Sequence, residues 1–182
     1  MLEVWYASNS EKLKFFMNLV SIFSKFGVAP GLVQDATLLL VIIFTSFVFS
    51  MLIGRYKLIT ILINIYVSLA VLAAVPAGYL TDYTYQLYFF FGLVIVLTLA
   101  SKKLFEIYIS GSGSGFLWRV FAMSFLEVVL FLSVALSIMP EKTALGYVSK
   151  ISYGYLASPN AQFIWIIAPL IFILAIHKKM NR

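Results

Sequence analysis

Glu127 is the one acidic side chain within an uninterrupted apolar stretch of this 182-residue chain, near the middle of the run from Phe116 to Met139. An acid at the centre of a membrane helix costs about 2.5–3.5 kcal/mol on insertion scales, so this carboxyl is expected to face protein or water, not hydrocarbon. Ser124 stands three residues earlier on the same helical face, Asn64 falls at a comparable depth in another apolar run, and Thr98 lies in a third. Together Glu127, Asn64, Ser124 and Thr98 form a candidate proton or cation site, with Glu127 titrating, Asn64 as its neutral hydrogen-bond partner and the two hydroxyls lining a path. The same residues also admit a structural role. A neutral carboxyl and Asn64 satisfying each other would be interhelical glue, worth about 0.6–2 kcal/mol. Arg119 is eight residues from Glu127, about 12 Å of helical rise, and is better placed to snorkel to headgroups than to pair with the acid.

Other chemistries lack their parts. The only histidine, His177, stands beside Lys178 and Lys179, where a cation complements a helix C-terminus and an anionic leaflet. There is no His-Glu-x-x-His pattern, no second His for a metal and no Ser/His pair at one depth. With no Cys there is no disulfide framework, thiolate metal site or thiol redox chemistry. Gly111-Ser112-Gly113-Ser114-Gly115 lacks the Lys-Ser/Thr of a phosphate loop and reads as a flexible turn. A non-enzymatic chain without metal or cofactor is expected.

The elements that must position Glu127 follow from composition. With 63% hydrophobic and 11% charged residues and a mean hydropathy of +1.02, the chain departs from the globular norm of about half apolar and a quarter charged. That excludes a soluble globular enzyme, a disordered regulator and a nucleic-acid module, despite a net charge of +6. In hydrocarbon every backbone amide must be bonded within its own segment, so spans are helices of about 20 residues. Five stretches approach this, and the fold class expected is an all-α polytopic membrane protein. The spans are Ala36 to Ile53, with Asp35 as N-cap; Leu58 to Val75, stopped by Pro76; Gln86 to Ala100, with a possible continuation towards Tyr108; Phe116 to Met139, ended by Pro140; and Ala161 to Ile176, kinked at Pro169.

Two further stretches are amphipathic. From Ser10 to Phe26 a polar stripe of Glu11, Lys14, Asn18, Ser21 and Lys25 leaves a broad apolar face, the pattern of a helix lying in the headgroup plane. From Thr143 to Leu156, Leu145, Val148, Ile151 and Tyr155 fall on roughly one face. The organisation read from the sequence is therefore an interfacial segment (1–34), a four-helix core (35–139), an outer amphipathic loop (140–160) and a last span with a basic tail (161–182). Small residues at spacing four, Ser46, Ser50 and Gly54 on the first span and Ala70 with Ala74 on the second, mark expected close helix approaches.

Lysine and arginine counts set the orientation. Lys12, Lys14, Lys25, Lys142 and Lys150 make five on the N-terminal side; Arg55, Lys57, Lys102, Lys103, Arg119, Lys178, Lys179 and Arg182 make eight on the other. The cation-rich side is expected to be cytoplasmic, with the N-terminus outside and the C-terminus inside. Tyr79, Tyr83, Tyr85, Tyr147, Tyr153 and Tyr155 then gather outside as an interfacial belt or a docking surface.

The order of elements is similar to that of the colicin V production protein family of bacterial inner-membrane proteins. Ile53-Gly54-Arg55-Tyr56-Lys57 resembles the basic turn between that family's first two spans. In Trp118-Arg119-Val120-Phe121-Ala122-Met123-Ser124-Phe125 the positions of Arg119 and Phe125 match the pattern that opens its fourth helix. Trp118 replaces the family's Asp, Ala122, Leu126 and Leu130 replace glycines, and Val129 stands at its second Arg, so no functional residue carries over. Over roughly Asp35 to Met139 the resemblance implies a non-enzymatic role in the bacterial cytoplasmic membrane: a scaffold or accessory subunit of a secretion or envelope complex. Its partners would be the lipid bilayer, further copies of itself or other envelope membrane proteins, and not nucleic acid. The alternative is a small proton-coupled transporter or channel subunit using Glu127. The orientation has a direct test, since the chain has no native cysteine. Of single cysteines at Ser112 and Asp82, the one at Asp82 should react with an impermeant thiol reagent in intact cells and the one at Ser112 should not; the reverse pattern overturns the assignment.

Overall fold

The computed structural model describes residues 30–53, 57–76, 78–101 and 116–180, and all regular structure among them is helical. The helices are α1 (Pro30–Ile53), α2 (Leu58–Ala74), α3 (Tyr83–Ala100), α4 (Phe116–Ile138), α5 (Glu141–Ala144), α6 (Lys150–Leu156) and α7 (Pro159–Met180). Four of them, α1, α3, α4 and α7, contain stretches long and apolar enough to cross a membrane, while α2 is apolar but has 17 residues. The amphipathic segment Ser10 to Phe26, together with Gly54, Arg55, Lys102, Lys103 and the run Gly111 to Gly115, lies outside the described residues.

The chain divides into two compact units, Met1–Leu40 and Val41–Arg182. In the described part of the first, Thr37 Oγ1 donates to the Val33 carbonyl at 2.8 Å. Here α1 starts at Pro30, so Asp35 lies within the helix instead of capping it. Proline suits a first helical position because its missing N–H has no intrahelical partner there in any case.

Within the second unit the boundaries follow local chemistry. The α2 helix ends at Ala74 because Val75 turns extended ahead of Pro76, as the clash before proline requires. Tyr79 N then donates to Pro76 O at 3.3 Å, and Gly78 takes φ +113° in that turn, a conformation that a side chain would strain. Asp82 Oδ1 accepts from Thr84 N at 3.2 Å, so α3 begins three residues before the expected Gln86; the aspartate is a true N-cap. At α7, Ser158 Oγ accepts from Ala161 N at 3.3 Å and Pro159 opens the helix, again two residues earlier than expected. Pro169 stands inside α7 without ending it.

The expected amphipathic element over Thr143 to Leu156 is two short helices, not one. Ser149 caps α6 by accepting from Ser152 N at 3.0 Å, so the chain reorients between them. Its apolar residues no longer share a face: Val148 is buried, whereas Ile151 and Tyr155 are exposed.

The fourth helix is the centre of the unit, packing against α2, α3, α6 and α7. Half of its Leu117–Ile138 window is buried, against 6% of Pro159–Ile176 in α7. Val120, Met123, Glu127, Leu130 and Val134 are all buried, and their three-then-four spacing is the seam of a helix packed by knobs into holes. Leu58, Ile61, Leu62 and Ile65 of α2 and Phe90 and Val94 of α3 fill in around it. Phe90, Phe91 and Phe131 form an aromatic cluster with centroids 4.9–5.7 Å apart, in the tilted geometry that ring quadrupoles favour. The outward faces are apolar, with Leu52, Ile95, Leu117 and Leu174 among the exposed side chains, and match hydrocarbon as a solvent. Small residues serve this packing unevenly. Ser46 is buried and Ser50 half-buried, but Ala70 and Ala74 are exposed, because the buried side chains of α2 end at Ser68. These alanines thus make no close helix approach within the described residues.

Truncating a side chain packed against the seam should leave a cavity that rigid helices cannot close. Phe90→Ala should cost about 3–5 kcal/mol, while exposed Ile95→Ala should change stability by less than about 0.5 kcal/mol. Reversible unfolding in mixed micelles measures both, and equal effects would refute the packing assignment.

Candidate functional site

Glu127 lies eleven residues from each end of α4, about 16 Å of rise in either direction. It is 1% exposed, and neither carboxyl oxygen has a hydrogen-bond partner among the described residues. Its register on α4 explains the burial: the acid occupies a seam position that apolar side chains fill above and below. Ser124, one turn earlier, is likewise fully buried with an unpartnered hydroxyl.

The carboxyl lines a cavity of about 410 Å³. Thr45 and Phe49 of α1 and Ile61 and Ile65 of α2 form part of its wall. Val94, Ile95, Thr98 and Leu99 of α3, with Val128 and Phe131 of α4, complete it. Among the described residues, the only polar side chains on this surface are Thr45, Thr98 and Glu127. Because Thr45, Ile95 and Leu99 are exposed as well as lining, the cavity opens sideways on the apolar flank of the helices.

Asn64 does not meet the acid. Its Nδ2 donates to Thr98 Oγ1 at 3.1 Å, and Ser101 Oγ lies 3.2 Å from its Oδ1. Ser101 Oγ also donates to the Leu97 carbonyl at 2.6 Å, so its single hydrogen is shared. The expected Asn64–Glu127 pair is therefore replaced by an Asn64–Thr98–Ser101 clamp between α2 and α3, and mutual glue is not what holds Glu127. The sequence reading missed Ser101. Its signal was the spacing of three from Thr98, which puts both hydroxyls on one face of α3. Thr98 alone belongs both to the clamp and to the cavity, whereas Ser124 is absent from the cavity lining.

A second polar layer secures the other side of α4. Ser133 Oγ donates to the Leu156 carbonyl at 2.6 Å, and Gln162 Nε2 to Ser137 Oγ at 3.0 Å. Tyr66 OH donates to the Ile166 carbonyl at 2.5 Å, one residue beyond Trp165, whose carbonyl lacks its usual helical donor because Pro169 has no N–H. Trp165 Nε1 donates to the Tyr155 carbonyl at 2.8 Å. These bonds occupy groups that hydrocarbon could not serve.

Of the expected cytoplasmic anchors, Lys57 is exposed just before α2, Arg119 is half-buried in the first turn of α4, and Lys178 and Lys179 fall in the last turns of α7. Among the described residues, no three His, Asp or Glu side chains gather as a metal site. Comparison with protein-family models, with curated proteins and with solved structures yields no match.

The reassigned clamp makes a sharp prediction. A double-mutant cycle on unfolding with Asn64→Ala and Thr98→Val should return a coupling of about 0.6–1.7 kcal/mol. The cycle pairing Asn64→Ala with Glu127→Gln should return about zero, and the opposite ranking would restore the Asn64–Glu127 pair.

Proposed function

We propose that the protein is a multi-pass integral protein of the bacterial cytoplasmic membrane, acting as a small proton-coupled transporter or channel subunit with Glu127 as the proton or cation site. The observation that carries this reading is the Glu127 carboxyl, unpartnered on both oxygens and facing a lateral apolar cavity. An isolated carboxylate in such surroundings carries a desolvation penalty of several kcal/mol, so its charge must be neutralised by a proton or by an arriving cation. A carboxyl kept only for structure would be expected to have a fixed donor, and Asn64, which stood at the right depth, is engaged by Thr98 and Ser101.

The topology that fits this role counts α2 as a fifth span. Its 17 residues rise about 25 Å, short of a ~30 Å core by an amount that local thinning and snorkelling accommodate. The N-terminus is outside and the C-terminus cytoplasmic, following the Lys/Arg asymmetry.

A scaffold or accessory-subunit role, which the resemblance to the colicin V production family implies, is the second reading. Exposed Ala70 and Ala74 favour it, since small residues on an outer helix face allow close approach of another membrane helix. In that case a partner would complete the cavity.

Proteoliposomes carrying an internal pH dye separate the two. Under an imposed gradient the wild-type chain should carry proton flux, and Glu127→Gln should lower it to the rate of protein-free vesicles. Undiminished flux in that variant, or none in the wild type, leaves the scaffold reading standing.

A further inference from the structure

We propose that the Glu127 cavity binds a lipophilic organic cation arriving sideways from the bilayer, and that this cation and the Glu127 proton exclude one another. The inference rests on the reading of Glu127 as a proton or cation site and adds the chemical class of the second occupant.

The walls decide against a small inorganic cation. Calcium takes six to eight oxygen ligands, and magnesium a near-ideal octahedral set. Among the described residues, the cavity supplies one carboxylate and the hydroxyls of Thr45 and Thr98, the latter already accepting from Asn64. An organic cation has the opposite needs, since its charge is diffuse and its body gains from apolar contact. Phe49 and Phe131 both line the cavity, and aromatic faces attract such cations, more strongly where water is excluded. A volume of about 410 Å³ lies within the range of pockets that enclose small organic ligands.

Position separates a free lipophilic cation from the amine of a lipid headgroup. Glu127 is about 16 Å of helical rise from either end of α4, deeper than a phospholipid amine sits while its phosphate stays at the interface. The exposed flank of α3 at Ile95 and Leu99 offers a route from the acyl region, where lipophilic cations accumulate.

Mutual exclusion follows from charge. Among the described residues, the cavity lining holds no ionisable group besides Glu127. On the packed helices, the hydroxyl of Tyr66 on α2 is committed to the Ile166 carbonyl. Arg119 lies two turns away on α4, Lys57 precedes α2, and Tyr83, Tyr85 and Tyr88 stand in the first turns of α3. One carboxylate can thus neutralise one positive charge, and raising the pH removes the competing proton and tightens cation binding.

The test is equilibrium binding of radiolabelled tetraphenylphosphonium to the full-length protein in detergent, with proton release read in weak buffer. Saturable binding should strengthen with pH, release one proton per cation and resist competition by neutral triphenylphosphine oxide. Glu127→Gln should weaken it about 10–100-fold, as the loss of a contact to a charged group does. Two further measurements guard against misfolding of that variant. Bound cation should protect wild-type Glu127 from dicyclohexylcarbodiimide, followed by intact mass, and Ile95→Trp at the cavity mouth should slow cation entry while leaving carboxyl and fold in place. If carbodiimide labels Glu127 and proton flux persists but the cation neither binds nor protects, this inference falls and the proton site survives. Binding undiminished by Glu127→Gln also overturns it. Absence of labelling, flux and cation binding together overturns both.

Discussion

The structure depends on one packing constraint, the seam along α4. Val120, Met123, Leu130 and Val134 lie on it, and α2, α3, α6 and α7 all pack against the helix that carries it. Association between helices in a membrane gains nothing from hydrophobicity, because lipid tails are as apolar as leucine, so shape and buried polar contacts must hold the group together. The Phe90–Phe91–Phe131 cluster supplies shape next to the seam, and the Ser133–Leu156 and Gln162–Ser137 bonds supply polarity on the side facing α6 and α7.

Glu127 breaks the logic of that seam. Asn64 finds a partner in Thr98, Ser133 in the Leu156 carbonyl and Tyr66 in the Ile166 carbonyl, whereas the buried hydroxyls of Ser68 and Ser124 have none among the described residues. Glu127, the most costly of these groups to desolvate, has none among the described residues. Buried groups without partners are rare in native structures, and each one calls for a physical explanation. The carboxyl faces a cavity that opens sideways on the apolar flank of the helices.

The division of labour between the helices follows from this. The α2–α3 clamp through Asn64, Thr98 and Ser101 joins two walls of the cavity without drawing on the Glu127 carboxyl. Thr98 links the two, with its hydroxyl in the clamp and its side chain on the cavity wall.

Much of the helical framework was legible in the sequence. Composition fixed the helical class, since only helices or closed barrels satisfy backbone amides in hydrocarbon. Pro76 and Pro140 ended α2 and α4 where proline chemistry requires. Asp82, Pro30 and Pro159 open their helices earlier than hydropathy alone places them, because a polar cap or a proline in the first turn is invisible to an apolar count. Partnership was not legible at all. In a helix that is apolar all round, no moment tells the buried face from the lipid face, so nothing in the residue string distinguished Asn64 pairing with Glu127 from Asn64 pairing with Thr98. Depth along each span can be counted from the sequence, but rotation about each helix axis is set by packing against neighbours. That rotation, decided only in the tertiary structure, gave Asn64 to α3 and left the Glu127 carboxyl facing the cavity.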